Sequence, residues 1–495
     1  MKKNNSITIL LSLILFSFLS CDNLLNLEPT SNITTASFWK TEDDAKGAIY
    51  GMYARFRNVT NSNLFLWGEA RSQNLKQSVG NDFSNMRIFQ NTLDAVDAGP
   101  SWSTLYQVVN DANLILKYVP EISFLDGNNK NQILAEAYSM RAFCYFVMAR
   151  TWGGVIIFTE PTEGYIPEKM YKERSSIEDC FKLIKDDIDK AISLYPDNNF
   201  ITGRNRWSKP ATNALKGDVY LWTGKVMNGG NSDFSTALNA LTEIESSDVM
   251  LLSEFNRVFD YDNKGNKEIL FASRFQLYES SNTGYYRMYI DQLPPNPAPG
   301  ASEVIGVPRD GNYWTLSDES LAMFSNEDQR KDGTFYELYS FDAATGLYSK
   351  FYGCIQMKFN GVVDAGSRYF LDDVIIYRYA DVLLMKAEAE NALGKDPSTS
   401  INKIRQRAYG ENYSKHVFVN GSKAQNDMEI LNERLLELFY EGKRWWDLIR
   451  FDKVFELVPY FKENPQDKYK LLWPIGLNIL SMEPNISQNP GYQER

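Results

Sequence analysis

From Arg378 to Gly394 the chain reads RYADVLLMKAEAENALG, and from Ile401 to Ala408 it reads INKIRQRA. This is a helical hairpin in outline. The first run is built from Ala, Leu, Met and Glu, all strong helix formers. Gly394 stands where that helix should stop, and Asp396-Pro397 supplies a cap and a first-turn proline for the next. Ala387 and Ala389 give the first helix small side chains, so a second helix can lie close. The pattern recurs upstream: residues 210–224, with Ala211, Ala214 and Gly217, precede a second helical run at 234–244. Such pairs predict tetratricopeptide-type units, whose period is roughly 34 residues. An unrelated helical hairpin would carry the same small residues.

Further toward the N-terminus, Thr41 caps a helix that opens with Glu42, Asp43 and Asp44, and Ala45, Ile49, Met52 and Phe56 form its apolar stripe. Trp102, Tyr106, Val109, Asn113 and Leu116 mark a second helix, residues 133–152 a third and residues 176–194 a fourth. Between 268 and 377 the helical period fades. Pro294, Pro295, Pro297 and Pro299 exclude a helix interior there. Residues 269–272 and 374–377 are short strand candidates, and 319–324 a short helix. The fold expected is mainly α, with tetratricopeptide-like helical hairpins packed with a large irregular, loop-rich region containing short strands. The expected parts are a helical-repeat part (41–267), an irregular insertion that is the candidate ligand face (268–377), and a C-terminal helical pair (378–495) packing with the first as one globular unit.

Residues 1–20 read as an export signal. Lys2 and Lys3 precede an apolar run over 7–19, too short for the roughly 20 residues a membrane span needs. Phe18-Leu19-Ser20-Cys21 resembles a lipobox, with Phe18 departing from the usual aliphatic residue. Cys21 is then the expected lipid anchor and 21–40 a tether. Cys144, Cys180 and Cys354 remain; three cannot all pair within the chain, and Cys144 and Cys180 sit among apolar helical residues, so buried free thiols are expected. The chain has 495 residues, and its 43% hydrophobic content fits a globular protein. A net charge of −11 disfavours nucleic acid as a partner, because that binding rests on clustered Lys and Arg. A neutral sugar meets no such obstacle.

Further segments are ERLLELFYEGKRWWDLIRF (433–451) and LLWPIGLNILSMEPNISQNPGY (471–492). Nearer the N-terminus come Trp102, Tyr106, Val109, Ala112 and Asn113 in one helical register, and RAFCYFVMARTWGGV (141–155). Within 433–451, Leu435, Leu438, Phe439, Trp445 and Ile449 make an apolar stripe. Trp445 and Trp446 read as core, Gly442 permits a close approach or a break, and Glu441–Arg444 and Asp447–Arg450 are pairs at i,i+3 spacing worth a few tenths of a kcal/mol each. In this order, and across nearly the whole mature chain, these segments resemble the RagB/SusD-like family. The resemblance implies an outer-membrane lipoprotein, held by lipid through Cys21 and facing the cell exterior. Such a protein captures a glycan, or in some members a peptide, for a SusC-like TonB-dependent transporter.

No catalytic constellation stands out. His416, in a polar stretch and read as surface, is the only histidine, which excludes Ser-His-Asp and multi-histidine metal chemistry. Asp260 to Gly265 resembles a calcium loop only superficially, since Lys264 takes a ligand position and Phe271 stands where the closing Glu belongs. No cofactor or metal is expected. The expected ligand contacts are aromatic residues in irregular segments beside polar ones: Trp67 with Arg71 and Asn74, Phe83, Tyr285 and Tyr286, and Tyr313 and Trp314. Two other readings stay open, a helical glycoside hydrolase and a repeat scaffold that binds only protein or peptide.

Overall fold

The computed structural model describes residues 38–493 apart from 79, 81–84, 165, 281–283, 310 and 312, and the backbone alone of Lys169 and Tyr286. The leader, Cys21, Phe83 and most of the expected tether lie outside the described residues. The helices that set the architecture are α1 (Glu42–Thr60), α2 (Asn63–Gly68), α3 (Ser103–Tyr118), α4 (Gly127–Trp152), α5 (Ile177–Leu194), α6 (Lys209–Val226), α7 (Gly230–Glu243), α8 (Tyr379–Ala392), α9 (Ser398–Tyr409), α10 (Lys423–Leu438) and α11 (Arg444–Arg450). Apart from α2, each long helix packs on the next as far as α8, which packs on both α9 and α10. Caps explain the starts: Thr41, read as a cap, closes a capping box with Asp44 on α1, and Ser176, read as the first helical residue, instead caps α5 by accepting from the Asp179 N–H. α4 begins six residues ahead of the expected start because Asp126 caps it. The small residues of α6 act as expected, since a Cβ on Gly217 would lie 2.5 Å from the buried Leu241 of α7.

Four two-stranded antiparallel sheets occur among the described residues. The two predicted strands, β2 (Ile269–Ser273) and β8 (Val374–Arg378), pair with each other and are buried throughout. β1 (Leu75–Gln77) pairs with β3 (Trp314–Leu316), and β6 (Val362–Asp364) with β7 (Ser367–Tyr369). The sequence reading missed β4 (Phe335–Asp342) and β5 (Leu347–Gln356), a long hairpin with register shifts after Leu338 and Ser340. Those shifts break the in–out alternation by which a strand is recognised.

The segment 433–451 is two helices, not one. α10 ends at Leu438, Tyr440 and Gly442 take left-handed backbone (φ 69° and 70°), and α11 starts at Arg444. Trp445 and Trp446 are core, as read. Cys144, Cys180 and Cys354 are free and buried. His416, expected at the surface, is half-buried; it stacks on Tyr409 and bonds Glu327 at 2.7 Å.

The largest departure is electrostatic. Glu441–Arg444 and Asp447–Arg450 read as i,i+3 pairs worth a few tenths of a kcal/mol; the second forms, at 3.0 Å, but these residues are buried and mostly pair far along the chain. Arg378 reaches Glu268 and Glu441 at 2.8 Å and Glu437 at 2.6 Å, and Glu437 also takes Arg330 at 3.2 Å. Glu441 bonds Lys358 and Arg378, not Arg444, which donates to the Leu431 carbonyl. Beside this lattice, Arg450 holds Glu388, Asp218 and Asp447, and Arg434 holds Asp381 and Asp447. The Arg450 guanidinium leads the forces that overcome burial and hold the Glu388 carboxyl down at about 2.

Candidate functional site

α2 crosses directly over the break between α10 and α11, where Gly68 meets the Gly442 carbonyl. A Cβ on Gly68 would lie 2.0 Å from that oxygen, and backbone cannot step aside as a side chain can. Gly68→Ala should therefore destabilise the protein by roughly 1–3 kcal/mol despite alanine's better helix propensity. A lowered urea midpoint would record this.

Held there, α2 presents Asn63, Phe65 and Leu66 to a cavity of about 210 Å³. The turn Tyr285–Met288 supplies Arg287 and Met288, with Gly284 before it, whose N–H bonds the Asn61 carbonyl at 3.0 Å. Trp314 heads β3 opposite Gln77 of β1. The next residue, Thr315, exchanges hydrogen bonds with the Cys354 backbone, which fixes β3 to β5. Phe89, from the short helix Met86–Phe89, stacks on Trp314 with ring centroids 3.5 Å apart and planes 12° apart. This stacked pair, with Ser62, Asn63, Asn85 and Arg287, gives the cavity an aromatic wall and a polar rim.

Of the expected ligand residues whose side chains are described, only Trp314 borders this cavity. Tyr313 is half-buried beside it, with Arg287 6.0 Å above its ring and its N–H bonded to the Arg287 carbonyl. Phe83 and the Tyr286 side chain lie outside the described residues. The others need correction, because the structure spends them on the core. Trp67 is fully buried, edge-on to Trp152 at 5.4 Å, with its indole N–H on the Pro100 carbonyl. Arg71 lies 4.5 Å above the Trp445 ring and bonds Asn91 and the Lys470 carbonyl. Tyr285 stacks on Phe359 at 3.9 Å. Asn74 is buried 3.5 Å from Glu69. In Trp67, Arg71 and Asn74 the polar part of the side chain bonds inside the protein, which residue type and neighbours alone could not reveal. Sequence reasoning missed Phe89, Asn63 and Arg287. Arg287, one residue beyond Tyr286, was within reach of the same argument, whereas Asn63 carried no local signal.

Beneath this site Glu69 is buried and accepts from the Lys443 and Arg444 N–H groups. Burial pushes its carboxyl up to about 7. A folded-state pKa above the unfolded value of 4.5 gives stability that is fully present below pH 4.5 and lost as pH rises through about 7. Glu69→Gln keeps an acceptor oxygen and has no charge to bury. It should match the wild type near pH 4 and exceed it by about 1–3 kcal/mol at pH 8, in urea denaturation at the two values.

Among the described residues no His, Cys, Asp and Glu cluster is arranged to hold a metal, and no helix is long and apolar enough to cross a membrane. Asp260 and Asp262, of the superficial calcium loop, pair with Arg257.

Residues 307–492 match the model of the SusD family, and residues 27–221 match a second model described as starch-binding, associating with outer membrane. Among solved structures, B. fragilis NanU is 32% identical, with a TM-score of 0.83, over 94% of this chain and 100% of that one. A SusD superfamily protein from Bacteroides vulgatus is 31% identical, with a TM-score of 0.83, over 92% and 100%. The SusD-like protein P38 of Formosa agariphila is 29% identical over 99% of both chains. Fold, length and both family models agree, and the chain belongs to the SusD family.

Proposed function

We propose that this protein captures a glycan at the bacterial cell surface, held there by lipid on Cys21, and passes it to a SusC-like TonB-dependent transporter in the outer membrane. The observation that carries the reading is the Trp314–Phe89 wall beside Asn63, Ser62 and Arg287. The C–H face of a sugar ring packs on aromatic carbon, and its hydroxyls need hydrogen-bonding groups at the edge. At about 210 Å³ the cavity is smaller than the roughly 300–1,000 Å³ of sites that enclose a whole drug-sized ligand. It suits one ring of a longer molecule. Members of this family are non-catalytic carbohydrate-binding proteins, and the chain is not an enzyme. The description of the second family model supports a starch-like or related glycan at the outer membrane.

Calorimetry against a panel of polysaccharides tests the binding step. Heat of binding to at least one glycan, with no release of reducing ends, is expected. Silence across the panel, together with stable co-purification of a protein partner, would favour the protein-binding scaffold. Co-purification of an outer-membrane barrel with the lipidated protein tests the hand-over.

A further inference from the structure

A second groove, of about 620 Å³, runs along α3 and shares no lining residue with the Trp314 cavity. Trp102, Tyr106 and Phe158 line it on one side and Ile479, Met482 and Ile486 of the C-terminal tail on the other. One carboxylate oxygen of Glu483, at the groove's edge, is buried and has no hydrogen-bond partner, so the groove presents an acceptor awaiting a donor.

The chain enters the described body at the C-terminal end of α3. Trp39 stacks on Tyr118, the last residue of α3, at 5.2 Å and 16°. Asn113, the nearest groove residue on α3, is five residues back, or about 8 Å along the helix, and the groove continues to Trp102 over about 17 Å. About five or six extended residues cover that length, and the sixteen residues 22–37 reach roughly 50 Å. They concentrate their leucines in one stretch, Leu24-Leu25-Asn26-Leu27-Glu28-Pro29. The match to the second family model begins at residue 27, eleven residues ahead of Phe38, so Leu27, Glu28 and Pro29 lie within it.

We propose that residues 24–29 dock in this groove, placing leucine side chains against Trp102, Tyr106 and Met482 and a backbone N–H on Glu483. The consequence for orientation rests on lipid at Cys21: only Asp22 and Asn23 would separate the anchor from the docked stretch, so the α3 face would be held at the membrane.

Paired cysteines in a chain carrying Cys21→Ser test the docking, with Cys144, Cys180 and Cys354 left in place because they are buried. Oxidation of the Leu27→Cys/Met482→Cys protein should form an intramolecular disulfide about tenfold faster, or more, than the Leu27→Cys/Val419→Cys control. Val419 is 80% exposed and lies beyond α9, at the far end of the helix series. Equal rates in the two proteins, or no disulfide in either, would overturn the proposal. As a second readout, the triple variant Leu24→Asp/Leu25→Asp/Leu27→Asp should raise amide exchange over 103–113 and 479–486 and leave α8–α10 unchanged; unchanged exchange over the groove would also overturn it. Palmitate labelling at Cys21 is a separate measurement: its failure with the disulfide intact removes the anchor and leaves the docking.

Discussion

Arg378→Ala is expected to lower stability by about 3–5 kcal/mol, the scale for removing one partner from a buried ionic cluster. The guanidinium is wholly buried and serves Glu268, Glu437, Glu441 and the Glu437 carbonyl. Without it three buried carboxylates share Arg330, Arg407 and Lys358. Nearby cations now outweigh burial and hold Glu437 and Glu441 below the usual carboxylate range. Depressed carboxyls give stability that is present above the unfolded pKa and lost as pH falls through the folded one. The variant's carboxyls should protonate at higher pH, so its acid unfolding begins sooner. The partly exposed pair Lys46–Glu42 makes the contrast, and Lys46→Ala should change stability by less than about 1 kcal/mol. Urea midpoints at pH 7 separate the two, with unchanged slopes showing that stability alone has moved.

Trp314→Ala is expected to weaken glycan binding by about 2 kcal/mol or more, roughly thirtyfold, as for an aromatic anchor at the centre of a contact. The change deletes half of the stacked wall and leaves Phe89 facing a larger hole. Because Trp314 is also 4% exposed and packed, the variant loses some stability. Binding must therefore be read by calorimetry at a temperature where circular dichroism shows it folded. Trp67→Ala is the matched control. Its ring is fully buried against Trp152, so any loss of binding should track loss of folded protein.

The helical frame was legible because its signals are local. The Thr41 cap, the stop before Gly394 and the small residues of α6 act within a turn or between adjacent helices. Strands β2 and β8 were legible as short apolar runs, although their pairing, across about a hundred residues, was not. The β4–β5 hairpin hid behind its register shifts. The ionic lattice hid because Glu441 and Arg444 look like neighbours on one helix, and only the break at Tyr440–Gly442 sends them to different partners. At the site, aromatic residues beside polar ones led to Trp314, which lines the cavity. They pointed equally to Trp67 and Tyr285, which do not line it, because what packs on a ring comes from far along the chain, here Trp152 and Phe359.

The most direct test of the central claim is a crystal structure of the protein with the glycan that calorimetry selects. One sugar ring is expected in the cavity between α2 and the 285–288 turn, against Trp314 and within hydrogen-bonding reach of Asn63 or Arg287. A sugar bound elsewhere on the molecule, with that cavity unfilled, would contradict it.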